Sequence, residues 1–297
     1  MNKSNPIVSS IKYATLIAIA VLMANCSVID KPETVPAWIE IDEFDFTTVS
    51  SEGTDRHKIK DAWVYVNSNL EGVFELPARI PITENGNTKI DIIPGIYKNG
   101  IQSDHDKYPF YTYFSATMDL KADSTYQITS AIEYQDNLNF WIEDFEDPSI
   151  DFTPSNDSDT AMFIGKPSQF NDLLEGDAGV IHMSSSNYLC QMNTDEVIFA
   201  DLPRNLAIPA YLEMDYKCNY PFEIGILSRD DQLANYVRTP LITINAISTW
   251  NKTYLYLPDV TNFFPTATEF QIYIRVFNTT GADGIEVMVD NLKVIFA

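Results

Sequence analysis

Tyrosines and one arginine alternate with aliphatic residues along two segments in the last fifth of the sequence. Tyr254 and Tyr256 alternate with leucines in residues 253–257, and Tyr273 and Arg275 alternate with aliphatic residues in residues 270–277. Successive side chains of a strand point to opposite faces, so the polar residues of each segment would share one face. Aromatic rings stack on the apolar side of a pyranose, and an arginine hydrogen-bonds its hydroxyls. The pattern predicts a sugar-binding face formed by these four residues.

Trp250 stands among polar residues at the edge of the first segment, and we predict it to be the most exposed tryptophan. It is therefore included in the predicted face. The alternative interpretation is a face without a ligand, because Tyr and Thr have a high strand propensity and populate any solvated sheet surface.

Residue combinations typical of catalysis are absent from the sequence. The three histidines, His57, His105 and His182, are isolated and have no zinc-binding spacing. There is no G-x-S-x-G elbow and no glycine-rich phosphate loop. We predict no enzymatic activity. A hydrolase that uses two of the 42 acidic residues is the less favoured alternative.

The formal charge of −23 excludes several classes of partner. A phosphate backbone would be repelled, so nucleic acid is not an expected partner, and anionic membrane surfaces are disfavoured. A hydrophobic content of 45% is ample for packed cores, so this is a folded protein and not an acidic tail. The length of 297 residues favours two domains.

The first 26 residues have the pattern of an export signal. Lys3 and Lys12 precede an apolar run, residues 14–24, which is too short to cross a membrane but fits a signal peptide. Residues 22–26 resemble a bacterial lipobox, which implies cleavage after residue 25 and lipid attachment at Cys26. We expect a signal peptide (1–25), a tether (26–36) and anchoring in the cell envelope, at the outer membrane or cell surface. The alternative is an ordinary signal peptide cut near Ala24.

The rest of the sequence is a succession of short alternating segments, which predicts an all-β chain. Turn residues predict a hairpin between residues 63–66 and 72–76, another between 80–82 and 90–92, and a third joining the last two strands at 279–284. The polar residues 135–137 mark a boundary. We predict two antiparallel β-sandwich domains, residues 37–134 and 138–297. Cys190 and Cys218 could form a disulfide or remain buried thiols.

Two short motifs carry a family resemblance. Residues 141–146 (WIEDFE) and 289–294 (VDNLKV) resemble the first and last strands of jelly-roll modules found in carbohydrate-binding and adhesin-type regions of secreted bacterial proteins. Residues 61–66 and 94–96 resemble immunoglobulin-like or transthyretin-like sandwiches, which often precede such modules. The resemblance implies a jelly roll over residues 138–297.

The jelly-roll resemblance also implies a structural calcium ion held by acids of the terminal strands. Strand alternation places Glu143 and Asp290 on the core side, where an unpaired carboxylate is costly. Oxygen-rich ligation is what calcium requires, so these two residues are the predicted metal ligands. The alternative is that both acids lie at strand ends in solvent or accept hydrogen bonds from loop amides.

These observations together predict a lipid-anchored surface protein that binds an extracellular glycan or another ligand without catalysis. The alternative is a structural or adhesion protein whose β-domains bind protein partners and have no sugar site. A ligand groove would favour the first interpretation, and a flat or fully packed face would favour the second.

Overall fold

The structure is a computed structural model that describes residues 34–194, 199–230 and 235–297. The predicted signal peptide and Cys26 lie outside the described residues. Within them the chain is nearly all β, in two successive regions, which we call the N-terminal region (residues 34–134) and the C-terminal region (residues 138–297). No helix of the described part has the length and apolar character needed to span a membrane.

The N-terminal region contains three small sheets around one core. Its strands are β1 (Ala37–Ile41), β2 (Phe44–Phe46), β3 (Asp61–Val66), β4 (Asn69–Glu75), β5 (Ala78–Ile82), β6 (Gly86–Tyr97), β7 (His105–Lys107), β8 (Phe114–Leu120), β9 (Thr125–Gln127) and β10 (Ser130–Ile132). The sheets have the orders β5-β1-β9, β10-β2 and β4-β3-β6-β7, and β8 also pairs with β6. The β1–β9 and β2–β10 pairs are parallel and the others antiparallel. One short 3-10 turn spans Ser50–Glu52.

The C-terminal region is a jelly-roll-like sandwich of two antiparallel sheets. Its strands are β11 (Asn139–Glu143), β12 (Thr153–Pro154), β13 (Met162–Gly165), β14 (Ala178–Met183), β15 (Leu189–Asn193), β16 (Ala210–Cys218), β17 (Phe222–Arg229), β18 (Val237–Ile244), β19 (Ile247–Tyr256), β20 (Glu269–Phe277) and β21 (Ile285–Phe296). The five-stranded sheet has the order β12-β15-β20-β17-β18. The six-stranded sheet has the order β13-β14-β21-β16-β19, with β11 also on β21. A helical turn spans Pro258–Thr261.

Strict alternation builds the core between these two sheets. On β20, Phe270, Ile272, Ile274 and Val276 are buried and face the other sheet, as the sequence pattern predicts. Leu212 of β16 meets them from the opposite side. Burial of each such side chain stabilises the fold by about 1.5–3 kcal/mol. The side chains between them are left to form the outer faces.

The outer face of the six-stranded sheet is covered by the N-terminal region. Tyr211, Tyr254 and Ile295 of this sheet belong to the same buried cluster as the core of the N-terminal region. A parallel bridge between Lys98 and Tyr254 also joins the two regions through the backbone. The two regions therefore share buried contacts and are not linked by the connecting segment alone.

Strand pairing shows that one of the three predicted hairpins is formed and that two are not. The β3–β4 hairpin is confirmed, with Asn67 and Ser68 in the left-handed turn conformation at φ 50° and 68°. However, β5 pairs with β1, so it forms no hairpin with β6. The loop at residues 279–284 joins β20 and β21 across two different sheets. Alternation specifies which face of a strand is buried, but it does not specify the neighbouring strand.

Both described cysteines are free thiols. Cys190 and Cys218 lie in the C-terminal core and form no disulfide. Burial raises the pKa of Cys190 to about 12, so this thiol stays protonated at neutral pH. Of the two alternatives, the structure shows buried cysteines that pack as small hydrophobic residues.

Candidate ligand-binding groove

A groove crosses the outer face of the five-stranded sheet in the C-terminal region. It encloses a cavity of about 450 Å³ that reaches from the edge strand β12 to β18. Its lining includes amides, two arginines and a tyrosine, namely Gln191, Asn193, Gln271, Arg275, Arg238 and Tyr236. The groove therefore offers several hydrogen-bond donors and acceptors on a rigid sheet.

Strand pairing places these side chains next to one another. Gln191 of β15 and Glu223 of β17 lie opposite Arg275 of β20, one on each side. Because the alternate residues of β20 fill the core, Gln271, Tyr273 and Arg275 must all point outward. The core pattern thus fixes the direction of the polar groups in the groove.

Tyr273 lies flat beneath this face and is fully buried. Its ring crosses Gly225, where a β-carbon would lie only 2.5 Å from the tyrosine hydroxyl oxygen. The hydroxyl donates a 2.8 Å hydrogen bond to Oε1 of Glu223. Burial raises the pKa of Tyr273, and the neighbouring carboxylate raises it further. This tyrosine supports the sheet surface and has no free ring face for a sugar.

A second cavity of about 440 Å³ adjoins the first and is more aromatic. Its lining includes Tyr220 and Phe277, and Arg275 lines both cavities. The guanidinium carbon of Arg275 is 4.8 Å from the ring centroid of Phe277, which holds it against an aromatic surface. The two cavities therefore meet at Arg275.

The predicted four-residue face is not formed. Tyr254 and Tyr256 lie on β19 in the six-stranded sheet, whereas Tyr273 and Arg275 lie on β20 in the five-stranded sheet. The outer faces of a sandwich point in opposite directions, so the two pairs cannot contact one ligand. Trp250 is half-buried on β19, where its Nε1 donates to the carbonyl of Asp172 at 2.7 Å, and it does not reach the groove. Only Arg275 of the predicted ligand residues lines the groove.

Tyr254 and its neighbours instead form the contact between the two regions. Tyr254 is 1% exposed, and its ring centroid is 5.0 Å from that of Tyr108 in the N-terminal region. Beside them, Oε1 of Glu213 accepts hydrogen bonds from the hydroxyls of Tyr108 at 2.7 Å and Tyr134 at 2.9 Å. We call Tyr108, Tyr134, Glu213, Lys252 and Lys293 the interface cluster.

The two lysines of the interface cluster are balanced by two buried acids, Glu213 and the neighbouring Asp215. Lys252 Nζ lies 3.1 Å from Oε2 of Glu213, and both side chains are almost fully buried. Burial opposes the charge of Glu213, but Lys252 and Lys293 hold its pKa below the usual value. Burial also lowers the pKa of Lys293 to about 8. Each of these buried charges therefore needs its partner, because the contact between the two regions shields both from water.

The carboxylate of Glu143 accepts hydrogen bonds from backbone amides in place of binding the predicted calcium ion. It is buried, and its two oxygens accept backbone amides, from Phe145 at 2.8 Å and from Asp151 at 2.6 Å. This is the loop-capping arrangement that the sequence left open as the alternative. No group of three or more His, Cys, Asp or Glu side chains suited to a metal is found among the described residues.

Asp290 faces an acidic cavity of about 430 Å³. It is 1% exposed, and its Oδ2 has no hydrogen-bond partner among the described residues. Glu146 and Glu175 line the same cavity. Burial, together with the nearby acids, raises the pKa of Asp290 to about 8. The cavity is lined by acidic oxygens, but its acids do not form a group of three suited to a metal ion among the described residues.

Comparison with known proteins gives likenesses of fold. The chain matches no protein-family model and no curated protein sequence. The xylan-binding domain CBM22-2 of Paenibacillus barcinonensis Xyn10C is 12% identical over 53% of this chain and 99% of its own, with a TM-score of 0.38. The K1 cleaved adhesin domain of Lys-gingipain from Porphyromonas gingivalis W83 is 12% identical over 52% of this chain and 97% of its own, with a TM-score of 0.37.

A third likeness is to the enzymatically active domain of tailspike protein 4 from bacteriophage CBA120. It is 18% identical over 51% of this chain but only 20% of its own length, with a TM-score of 0.37. All three are likenesses of β architecture alone.

Sequence reasoning missed most of the groove. Gln191 and Asn193 alternate with buried residues on β15, and this alternation is the signal that could have placed them on an outer face. Tyr236 lies immediately before β18 and Arg238 is its second residue, and no alternation marks either position. Only the order of strands brings these four residues beside Arg275.

Proposed function

We propose that this protein binds an extracellular glycan in the groove of its C-terminal region, without catalysis. The groove at Arg275 carries this proposal, because it combines amide and guanidinium groups with a neighbouring aromatic surface on one rigid sheet. A sugar uses polar groups and an aromatic surface together, because its hydroxyls exchange hydrogen bonds while its apolar face packs on rings. A concave groove also suits a sugar chain better than a flat protein surface.

Among the described residues, the groove does not present the pair of carboxyl groups that a glycosidase needs. Such enzymes place two carboxyl groups on either side of the scissile bond. Glu223 is held by the Tyr273 hydroxyl and by Arg238, which lies 3.7 Å from its Oε1, and Asp157 is exposed at the rim. We therefore propose a binding role, and incubation with the bound glycan should release no shorter product.

A glycan array with the purified protein tests the binding role. We expect one class of glycan to bind, and Gln191→Ala to weaken binding by about 0.5–1.5 kcal/mol, the contribution of one hydrogen bond. Gln127→Ala is the matched control, because its amide lies in the N-terminal region and donates to Asp42. Retention of full affinity in Gln191→Ala, or no binding to any glycan, would contradict the proposal.

We also propose that the protein is held in the bacterial envelope by a lipid on Cys26. The support is the sequence alone: the apolar run at residues 14–24 followed by a lipobox-like segment. Cys26→Ser should release the protein from the membrane fraction or leave it unprocessed. A Cys26→Ser protein that stays in the membrane fraction with unchanged mobility would exclude this anchor.

A structural calcium ion is a further part of the proposal. Asp290 would be its acidic ligand, because Asp290 has an orphaned oxygen, whereas both oxygens of Glu143 are engaged. The described residues contain no group of three acids suited to a metal, so backbone carbonyls and water would supply the other oxygens. The ion would supply charge compensation for this buried acid.

A further inference from the structure

We propose that the sugar bound in the groove carries a carboxylate, as a uronic acid does, and that Arg275 binds that carboxylate. This inference rests on the proposed glycan-binding function and adds the chemical class of the ligand. Three features of Arg275 support it: its position, its partners and the charge around it.

The position of Arg275 puts it in the path of any ligand that spans the groove. It lines both the polar cavity and the adjoining aromatic cavity, of about 450 and 440 Å³. A sugar chain that occupies both cavities must therefore pass its guanidinium group. A carboxylate on such a chain would come within reach of Arg275 wherever the chain crosses from one cavity to the other.

The other arginines of this face already have carboxylate partners. Arg229 pairs with Glu269 at 2.5 Å, and Arg238 lies 3.7 Å from Glu223. Glu223 is opposite Arg275 in the strand register, but its Oε1 accepts the Tyr273 hydroxyl. Nε of Arg275 is buried and has no hydrogen-bond partner among the described residues. Because Nε itself is closed to solvent, a carboxylate in the groove would bind the two terminal nitrogens of the guanidinium group.

The excess of acidic side chains makes it notable that Arg275 has no salt bridge among the described residues. With 42 acidic and 19 basic side chains, the protein has carboxylates in excess. Asp157 lines the groove and Glu223 lies opposite Arg275, yet none of the described carboxylates forms a salt bridge with Arg275. The planar guanidinium matches a carboxylate with two parallel hydrogen bonds, a match that a neutral hydroxyl cannot make. Arg275 thus supplies a local binding site for an anion on a protein that otherwise repels anions.

The test compares uronic-acid hexamers with their own methyl esters by calorimetric titration of the purified protein. The panel consists of galacturonate, mannuronate and guluronate chains, and esterification removes the negative charge and adds one methyl group to each carboxylate. We expect at least one acid to bind about tenfold more tightly than its ester, and Arg275→Gln to remove this preference. Arg275→Lys should keep part of this preference, because lysine keeps the positive charge but cannot make the two parallel hydrogen bonds of the guanidinium group.

Arg79→Gln is the matched control, since it removes the same charge from the N-terminal region, where Arg79 pairs with Glu40. Melting temperatures report whether each variant is folded. Equal binding of acid and ester, preference that survives in Arg275→Gln, or binding of neutral array glycans only would overturn this inference and leave the proposed function standing. Binding of no glycan at all would overturn the proposed function itself.

Discussion

The hydroxyl of Tyr108 donates a 2.7 Å hydrogen bond to Oε1 of Glu213, and this bond joins the two β-regions at a fully buried position. The interface cluster around it contains two lysines, whose charges Glu213 and the neighbouring Asp215 compensate. A buried charge that loses its partner is strongly destabilising, so this contact constrains how the regions meet. The groove lies on the other sheet of the same sandwich.

Tyr108→Phe should lower the free energy of unfolding by about 1–3 kcal/mol, because Glu213 loses one of its two tyrosine donors in a site without solvent. Chemical denaturation measures the change. Tyr113→Phe is the control, because Tyr113 is 51% exposed and should change the free energy by less than about 0.5 kcal/mol. Equal effects of the two substitutions would show that the bond to Glu213 contributes nothing.

Tyr254→Ala should cost about 3–5 kcal/mol, since this ring is buried between the regions and its removal leaves a cavity. Because the regions share this contact, we also expect the wild-type protein to unfold in one calorimetric transition. Tyr113→Ala serves as the exposed control. Two separate wild-type transitions, with Tyr254→Ala leaving both unchanged, would mean that the regions are energetically independent.

Asp290 should make stability decrease as the pH rises. Its pKa is raised from 3.8 to about 8, so the folded state holds the proton more tightly than the unfolded chain. That contribution is complete below about pH 4 and is lost as the pH rises to about 8. In EDTA, the Asp290→Asn protein should therefore lose up to about 6 kcal/mol less than wild type over this range. Asp119→Asn, at an exposed site, should follow the wild-type curve, and an Asp290→Asn curve parallel to both would refute the assignment.

Calcium should raise the melting temperature of the wild-type protein at neutral pH. An ion that binds only the folded state adds about 2.7 kcal/mol when its concentration is 100 times its dissociation constant. Asp290→Asn should abolish this increase, whereas Glu143→Gln should retain it, because the Glu143 oxygens accept loop amides. The opposite result would restore Glu143 as a ligand, and no response to calcium in wild type would exclude the ion.

The sequence was a good guide to which side of each strand is buried. Leu255 and Leu257 face the core and Tyr254 faces away from it, as alternation predicts. The same holds for Ile272 and Ile274 beside Arg275. This success has a physical basis, because the period of two follows from strand geometry alone.

The predicted site failed at the level of strand order. Nothing in the residues of β19 and β20 shows that they belong to different sheets, or that the N-terminal region covers Tyr254. The buried lysines illustrate the same point, since Lys252 reads as a surface residue until Glu213 is placed beside it. Long-range pairing decides these contacts, and it depends on the whole chain.

A crystal structure of the complex with the glycan identified on the array shows whether the groove is the binding site. We expect the sugar to lie along the five-stranded sheet between Gln191 and Arg238, with a ligand oxygen within hydrogen-bond distance of Arg275. A glycan bound elsewhere, for example against Trp250 on the six-stranded sheet, would contradict this expectation.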